Sequence, residues 1–162
     1  MIITDYFNFD APVEIISVYD AIDIYMSQNP DSDIETLELE FDGARFKFEI
    51  LGVGDDMRYC FDINAATKTV LKNESSPLKT KYQGGVRRER KKVNVTDLIS
   101  IEEATKIGTS HTQGFRPFEW KLERKGDLTV WEIEYIDGQG DKEMELKINA
   151  QNGNMVEIEF PR

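Results

Sequence analysis

A chain of 162 residues with 40% hydrophobic side chains has material for one ordinary domain or two very small ones. Its 31 acidic against 20 basic residues give a formal charge of −11 and a pI near 4.6, which sets the surface against a phosphate backbone and disfavours nucleic acid as a partner. One cysteine, Cys60, excludes an internal disulfide and a multi-cysteine zinc centre, and no run approaches the ~18 apolar residues of a helical membrane span.

The opening stretch, MIITDYFNFDAPVEII, has no basic region ahead of an apolar core, so it is not read as a signal peptide; an exported natural protein would carry its leader upstream of Met1. The first element is a helix. Ser17 is its N-cap with Asp20 three positions on; Val18, Ala21, Ile22 and Tyr25 follow at helical spacing, and Asn29-Pro30 ends it because proline cannot continue the hydrogen-bond ladder. The period then drops from 3.6 to 2, as in half-buried strands. Leu37, Leu39 and Phe41 alternate with acids, Gly43 turns the chain into Phe46, Phe48 and Ile50, and Tyr59, Phe61 and Ile63 form a third strand. A fourth begins at Thr69, after the turn that follows Ile63-Asn64-Ala65, and is expected to dissolve at Lys72-Asn73-Glu74.

The same order then returns. Ser17 to Ala21 matches Ser100 to Ala104 at a displacement of 83 positions, which also sets Ile24 on Ile107, Ser27 on Ser110, Leu39-Glu40 on Leu122-Glu123, Gly43 on Gly126 and Glu49-Ile50 on Glu132-Ile133. Ile63-Asn64-Ala65 falls on Ile148-Asn149-Ala150 at 85, so two residues are added in a hairpin loop, where insertion costs little. Ile101, Ala104 and Ile107 make a thinner stripe, and Gly108 points to a shorter second helix. Phe115, Pro117 and Phe118 are read as preceding the next strand and packing between the copies. Trp120 and Trp131 share a core parity. The expected fold is α+β: two repeated units, each one helix packed on a four-stranded antiparallel β-meander. Residues 1–74 hold the first unit with an N-terminal extension, 75–97 a basic linker, and 98–162 the second unit. The closing turns differ, since Gly153 takes positive φ at low cost whereas Lys68 must adopt it under strain or use another turn.

A Ser-x-x-acidic-Ala helix, alternating strands and a closing Asn-Ala turn before a final strand, twice over, resemble the PepSY domain in tandem, across residues 15 to 74 and 98 to 160. Asn64 and Asn149 stand where that pattern has Asp, Lys68 where it has the turn Gly, and Asn152 where it has Thr. The resemblance implies a non-catalytic module of exported or cell-surface bacterial proteins, with a peptidase as the partner it inhibits or regulates. Fold analogy alone does not establish that role.

Charge is distributed unevenly. Residues 1–71 hold 4 basic and 15 acidic side chains, residues 72–99 hold 8 and 3, and residues 100–162 hold 8 and 13. The basic run Arg87, Arg88, Arg90, Lys91 and Lys92 is therefore the candidate anion- or partner-binding set. Its plain reading is a connector facing the acidic first unit through surface pairs worth at most about 1 kcal/mol each. Its rival is electrostatic docking on an anionic membrane or wall surface; a purely structural spacer is the third. No catalytic, cofactor or metal set stands out. His111 is the only histidine and falls at a helix end, and Cys60 has only Arg58 as a nearby cation in sequence. The loop Asp137 to Asp141 and the pair Asp55-Asp56 lack calcium-loop spacing and read as turn chemistry.

Overall fold

The computed structural model describes residues 13–160, so the expected N-terminal extension lies, through residue 12, outside the described residues. The first unit is α1 (Val18–Gln28), β1 (Asp33–Phe41), β2 (Phe46–Val53), β3 (Met57–Asn64) and β4 (Val70–Pro77). A short helix, α2 (Val86–Lys91), lies in the joining segment. The second unit is α3 (Ile101–Thr109), β5 (Phe115–Lys125), β6 (Leu128–Asp137), β7 (Glu143–Asn149) and β8 (Met155–Glu159). This is the α+β architecture the repeat implies, in two parts.

The repeat extends to single hydrogen bonds. Ser17 Oγ accepts the Asp20 N–H at 3.1 Å and Ser100 Oγ accepts the Glu103 N–H at 3.1 Å, so both helices start by satisfying one orphan donor. Ser27 and Ser110 donate back to Ile24 and Ile107 carbonyls, each at 2.7 Å. Leu39 pairs with Phe48 as Leu122 does with Trp131, and the β-bulge at Ile34/Thr36 returns at Pro117/Glu119. Two sequence expectations change here. Phe115, Pro117 and Phe118 lie inside β5, because the bulge accommodates a proline with no N–H to donate. β4 does not dissolve at Lys72–Glu74 but runs to Pro77, because β3 pairs with it along its whole length, from Ile63↔Val70 to Met57↔Pro77.

The two meanders form one antiparallel sheet in the order β4-β3-β2-β1-β5-β6-β7-β8. The seam is short: Leu37↔Leu122, Glu38↔Lys121 and Leu39↔Trp120. Since Leu39 and Leu122 are repeat counterparts, as are Leu37 and Trp120, the seam has a local two-fold axis between Glu38 and Lys121. α1 and α3 cover one face, and a single core runs beneath them through Tyr25, Phe48, Phe61, Trp120, Trp131 and Tyr135, all fully buried. The helix N-termini meet over the seam, where the Leu98 N–H donates to the Tyr19 hydroxyl at 2.8 Å.

Each helix touches its sheet through one tyrosine and one glycine, with the roles exchanged. In the first unit α1 supplies Tyr25 and β2 supplies Gly52; a Cβ on Gly52 would lie 1.6 Å from the Tyr25 hydroxyl oxygen. In the second unit α3 supplies Gly108 and β6 supplies Tyr135, and a Cβ on Gly108 would lie 2.2 Å from the Tyr135 hydroxyl oxygen. The Tyr25 hydroxyl shares a 2.6 Å hydrogen bond with Ser32, and burial, partly offset by that bond, pushes its pKa up to about 12. The Tyr135 hydroxyl donates to the Thr105 carbonyl at 3.4 Å.

The closing turns are the same turn. Asn64 Oδ1 accepts the Ala66 and Thr67 N–H groups at 2.9 and 3.0 Å, and Asn149 Oδ1 accepts those of Gln151 and Asn152 at 2.9 and 3.2 Å. Lys68 sits at φ 65° where Gly153 sits at φ 76°, so the lysine adopts the left-handed conformation under strain. Lys68→Gly is expected to raise unfolding free energy in urea by about 1 kcal/mol. Gly108→Ala, which helix propensity alone would favour, is expected to destabilise by roughly 1–3 kcal/mol through overpacking, with Tyr135→Phe recovering part of the loss. Unchanged or increased stability of Gly108→Ala would contradict the contact described above.

Candidate functional site: the joining segment and the open sheet face

The five basic residues singled out in the sequence divide into two groups. Arg87 forms a two-pronged pair with Glu35, Nε to Oε2 at 2.9 Å and Nη2 to Oε1 at 2.6 Å, with its guanidinium 5.8 Å from the Tyr82 ring centre. The Glu35 hydrogen bonds hold the Arg87 pKa above its ordinary value. Arg88 donates to Asp33 at 2.8 Å and Asp55 at 3.2 Å, and Lys92 pairs with Glu89 at 2.8 Å. Arg90 and Lys91 are exposed. The segment is tied down elsewhere too: Asp55 and Asp56 accept the Gly85 and Gly84 N–H groups at 3.0 and 2.9 Å, and the Val93 N–H reaches the Ile34 carbonyl at 2.9 Å. Asp55-Asp56 thus acts as a grip on the connector. The Asp137 loop is likewise turn chemistry, since Asp137 Oδ1 accepts the Asp141 and Gln139 N–H groups at 2.9 and 3.2 Å. His111 is exposed just beyond α3, and Cys60 is half-buried.

The face of the sheet opposite the helices holds a charge pattern that residue-by-residue reading missed, because it exists only across strands. One row crosses all eight: Lys72, Asp62, Glu49, Glu38, Lys121, Glu132, Lys147, Glu157, each paired with the next. Lys147 sits between Glu132 at 3.0 Å and Glu145, and Lys47 holds Glu40, Glu49 and Asp62 at 3.1, 3.2 and 3.8 Å. Burial works against both ammonium charges, but the surrounding carboxylates outweigh it and raise both pKa values. A second row, Glu119↔Glu134↔Glu145↔Glu159, sets four glutamates on four adjacent strands. Like charges directly opposite in a sheet are destabilising. The equivalent positions of the first unit are Thr36, Leu51, Cys60 and Glu74, so the backbone plan does not require the acids. Beside three of its members, Glu134, Glu145 and Glu159, lies an open recess of about 400 Å³ that Asp141, Glu143, Met144 and Phe160 also line, Phe160 being 73% exposed.

Two carboxylate trios bring their oxygens within 4.8 Å of one another, Glu38 with Glu40 and Glu119, and Glu132 with Glu134 and Glu145. Partial burial, then the charges of Glu38 and Glu134, push the Glu119 carboxyl up to about 7 from an ordinary 4.5, and burial raises Glu38, Glu134 and Asp62 as well. The folded Glu119 holds its proton where the unfolded one has lost it, so stability falls as pH rises from 4.5 to about 7 and stays reduced above. Asp42, Asp137 and Glu157 are shifted down and oppose this only at lower pH, as they protonate in the folded state. The melting temperature is expected to rise on acidification from about pH 8 to about pH 6, and Glu119→Gln to flatten that rise. A wild-type melting temperature that falls over this interval would contradict the assignment.

Residues 98–159 match the family model of the peptidase propeptide and YPEB domain, PepSY. A solved structure from Clostridium difficile 630, named as a candidate lipoprotein, superposes with a TM-score of 0.85 at 28% identity, covering 90% of this chain and 94% of its own. The YpmB protein from Bacillus subtilis aligns over 89% of this chain and 98% of its own at 19% identity, with a TM-score of 0.38. A search of curated proteins gives no match. The second unit is thus the part of the chain that matches PepSY, and the first unit is built on the same hydrogen bonds.

Proposed function

We propose that this chain is a non-enzymatic binding module of an exported or cell-surface bacterial protein, and that it regulates a peptidase by holding it against the open face of the second unit. The observation that carries this reading is the row Glu119, Glu134, Glu145 and Glu159. It sets like charge opposite like charge where the equivalent positions of the first unit are Thr36, Leu51, Cys60 and Glu74, and departures of this kind concentrate at functional sites. The PepSY family description, which couples the domain to peptidase propeptides, supports a peptidase as partner, and the lipoprotein-like neighbour supports an extracytoplasmic setting. The chemistry is that of a surface: carboxylates that attract and orient a partner, with no part in bond making.

A second reading rests on Arg90 and Lys91. They are exposed, while Arg87, Arg88 and Lys92 are engaged with carboxylates of this chain. Under that reading the connector docks on an anionic membrane or wall surface, with affinity that falls as salt rises. The structural spacer is the limit in which neither surface binds.

Purified protein is expected to inhibit a thermolysin-type metallopeptidase, and the immobilised protein to retain a metallopeptidase from culture supernatant or envelope extract, identified by mass spectrometry. No inhibition and no recovered peptidase would overturn the peptidase reading. Sedimentation with anionic vesicles, abolished by Arg90→Ser with Lys91→Ser, would support the second reading in its place.

A further inference from the structure

We infer that two copies of this chain join through the free edge of β4, antiparallel about Asn73, so that Lys72 of each copy faces Glu74 of the other. The joint lies away from the glutamate row and does not depend on the binding-module reading.

β4 ends the sheet. All eight of its residues are exposed, β3 takes its inner side along its whole length, and among the described residues no strand pairs with its outer side. An uncovered edge is a template for a second chain unless charge, proline or a bulge blocks it. β4 carries all three, and their positions limit where pairing can occur. The bulge lies between Val70 and Lys72, Pro77 closes the other end, and Lys72 and Glu74 lie opposite Asp62 and Cys60 on the face away from the helices.

Strand parity then selects the register. In an antiparallel ladder alternate residues bond the same neighbour. The Leu78 N–H donates to the Asp56 carbonyl at 2.8 Å, so by alternation Ser76, Glu74 and Lys72 bond β3, and the backbone groups of Asn73 and Ser75 point outwards. A two-fold axis at Lys72 would set lysine on lysine, and one at Glu74 glutamate on glutamate. An axis at Ser75 would bring Pro77, which has no N–H, opposite Asn73. With the axis at Asn73 the two asparagines exchange backbone hydrogen bonds, and Lys72 meets Glu74 twice. Those two positions form non-hydrogen-bonded pairs, in which side chains approach most closely.

The chain already contains a joint of this kind. Its own two units meet edge to edge about a local two-fold axis, with Glu38 against Lys121 at the centre. Pairing through β4 repeats that arrangement on the other edge of the first unit, and the interface is isologous, as in most homodimers. β8, the free edge of the second unit, does not offer the same complement. It has five residues, and any two-fold axis from Glu157 to Glu159 sets acid against acid. One strand pair buries less than the ~1,200 Å² of a stable interface, so the dimer is a weak one.

Sedimentation velocity of the full chain from about 10 μM to about 1 mM, in about 0.15 M salt to screen repulsion between two acidic copies, tests the joint. The wild type is expected to pass from monomer towards dimer across this range. Lys72→Glu and Glu74→Lys each set like charges across the axis and are expected to weaken association at least tenfold, whereas an equimolar mixture of the two recovers the dimer as a heterodimer. The two variants move net charge in opposite directions, so loss in both with recovery in the mixture separates pairing from bulk repulsion. Glu74→Gln removes the attraction without adding a charge and is expected to weaken association several-fold at an unchanged melting temperature. A wild type that stays monomeric at about 1 mM, single variants that associate as tightly as the wild type, or a mixture that does not associate would overturn the joint. Growth beyond a dimer would mean that β4 pairs with β8 of the next copy, and would overturn it as well.

Discussion

Leu37 against Leu122, Glu38 against Lys121 and Leu39 against Trp120 are the residue pairs through which two meanders become one sheet. A two-fold seam of this kind brings one residue opposite its own counterpart, and identical units would set glutamate on glutamate at that point. Here the second copy has Lys121, so the seam closes on an opposite-charge pair. Because the seam is antiparallel and symmetric, both helices fall on one side, their N-termini meet, and their first-turn acids Asp20, Glu102 and Glu103 offset two helix dipoles pointing at each other. The opposite side becomes a single face eight strands wide.

The two sides of that sheet follow different rules. The helix side is held by burial, with Leu37, Leu39, Phe48, Trp120, Leu122 and Trp131 fully enclosed, and indole donors satisfied by Thr105 Oγ1 and the Ile99 carbonyl. On the open side of the second unit charge alternates in one row, Lys121, Glu132, Lys147 and Glu157, and repeats in the next, whereas in the first unit Glu38, Glu49 and Asp62 stand opposite one another with Lys47 beside Glu49 and Asp62. Lys47 and Lys147 are each shared among several carboxylates, so the lysines there neutralise only part of the acid. The joining segment uses its arginines at one end of β1, on Glu35 and Asp33, and spends little positive charge on the rest of the face.

Much of the fold was legible in the sequence because it was written twice. Ser17 and Ser100, the Asn-Ala turns and the alternating strands are local signals, and each copy checked the other. The length of β4 was not legible, since Lys72, Asn73 and Glu74 carry no strand preference and are held by pairing with β3. Nor was the course of β5 through Pro117, which depends on a bulge. The basic run was visible as composition, but its division between paired and exposed residues depends on Glu35, Asp33 and Asp55, distant in sequence. The glutamate row was hidden for a related reason: its members are spaced by hairpins, and only strand register brings them into line.

Exchange of tyrosine and glycine between the units also bears on how the chain reaches its fold. Duplicated units can misassemble by docking an element on the wrong copy. Were α1 to settle on the second half of the sheet, Tyr25 would meet Tyr135 where the native packing leaves room for one ring. Were α3 to settle on the first half, Gly108 would face Gly52 across an unfilled gap. One mispairing is too large and the other too small, so a repeat that shares its caps, bulges and turns still gives each helix a single place to go.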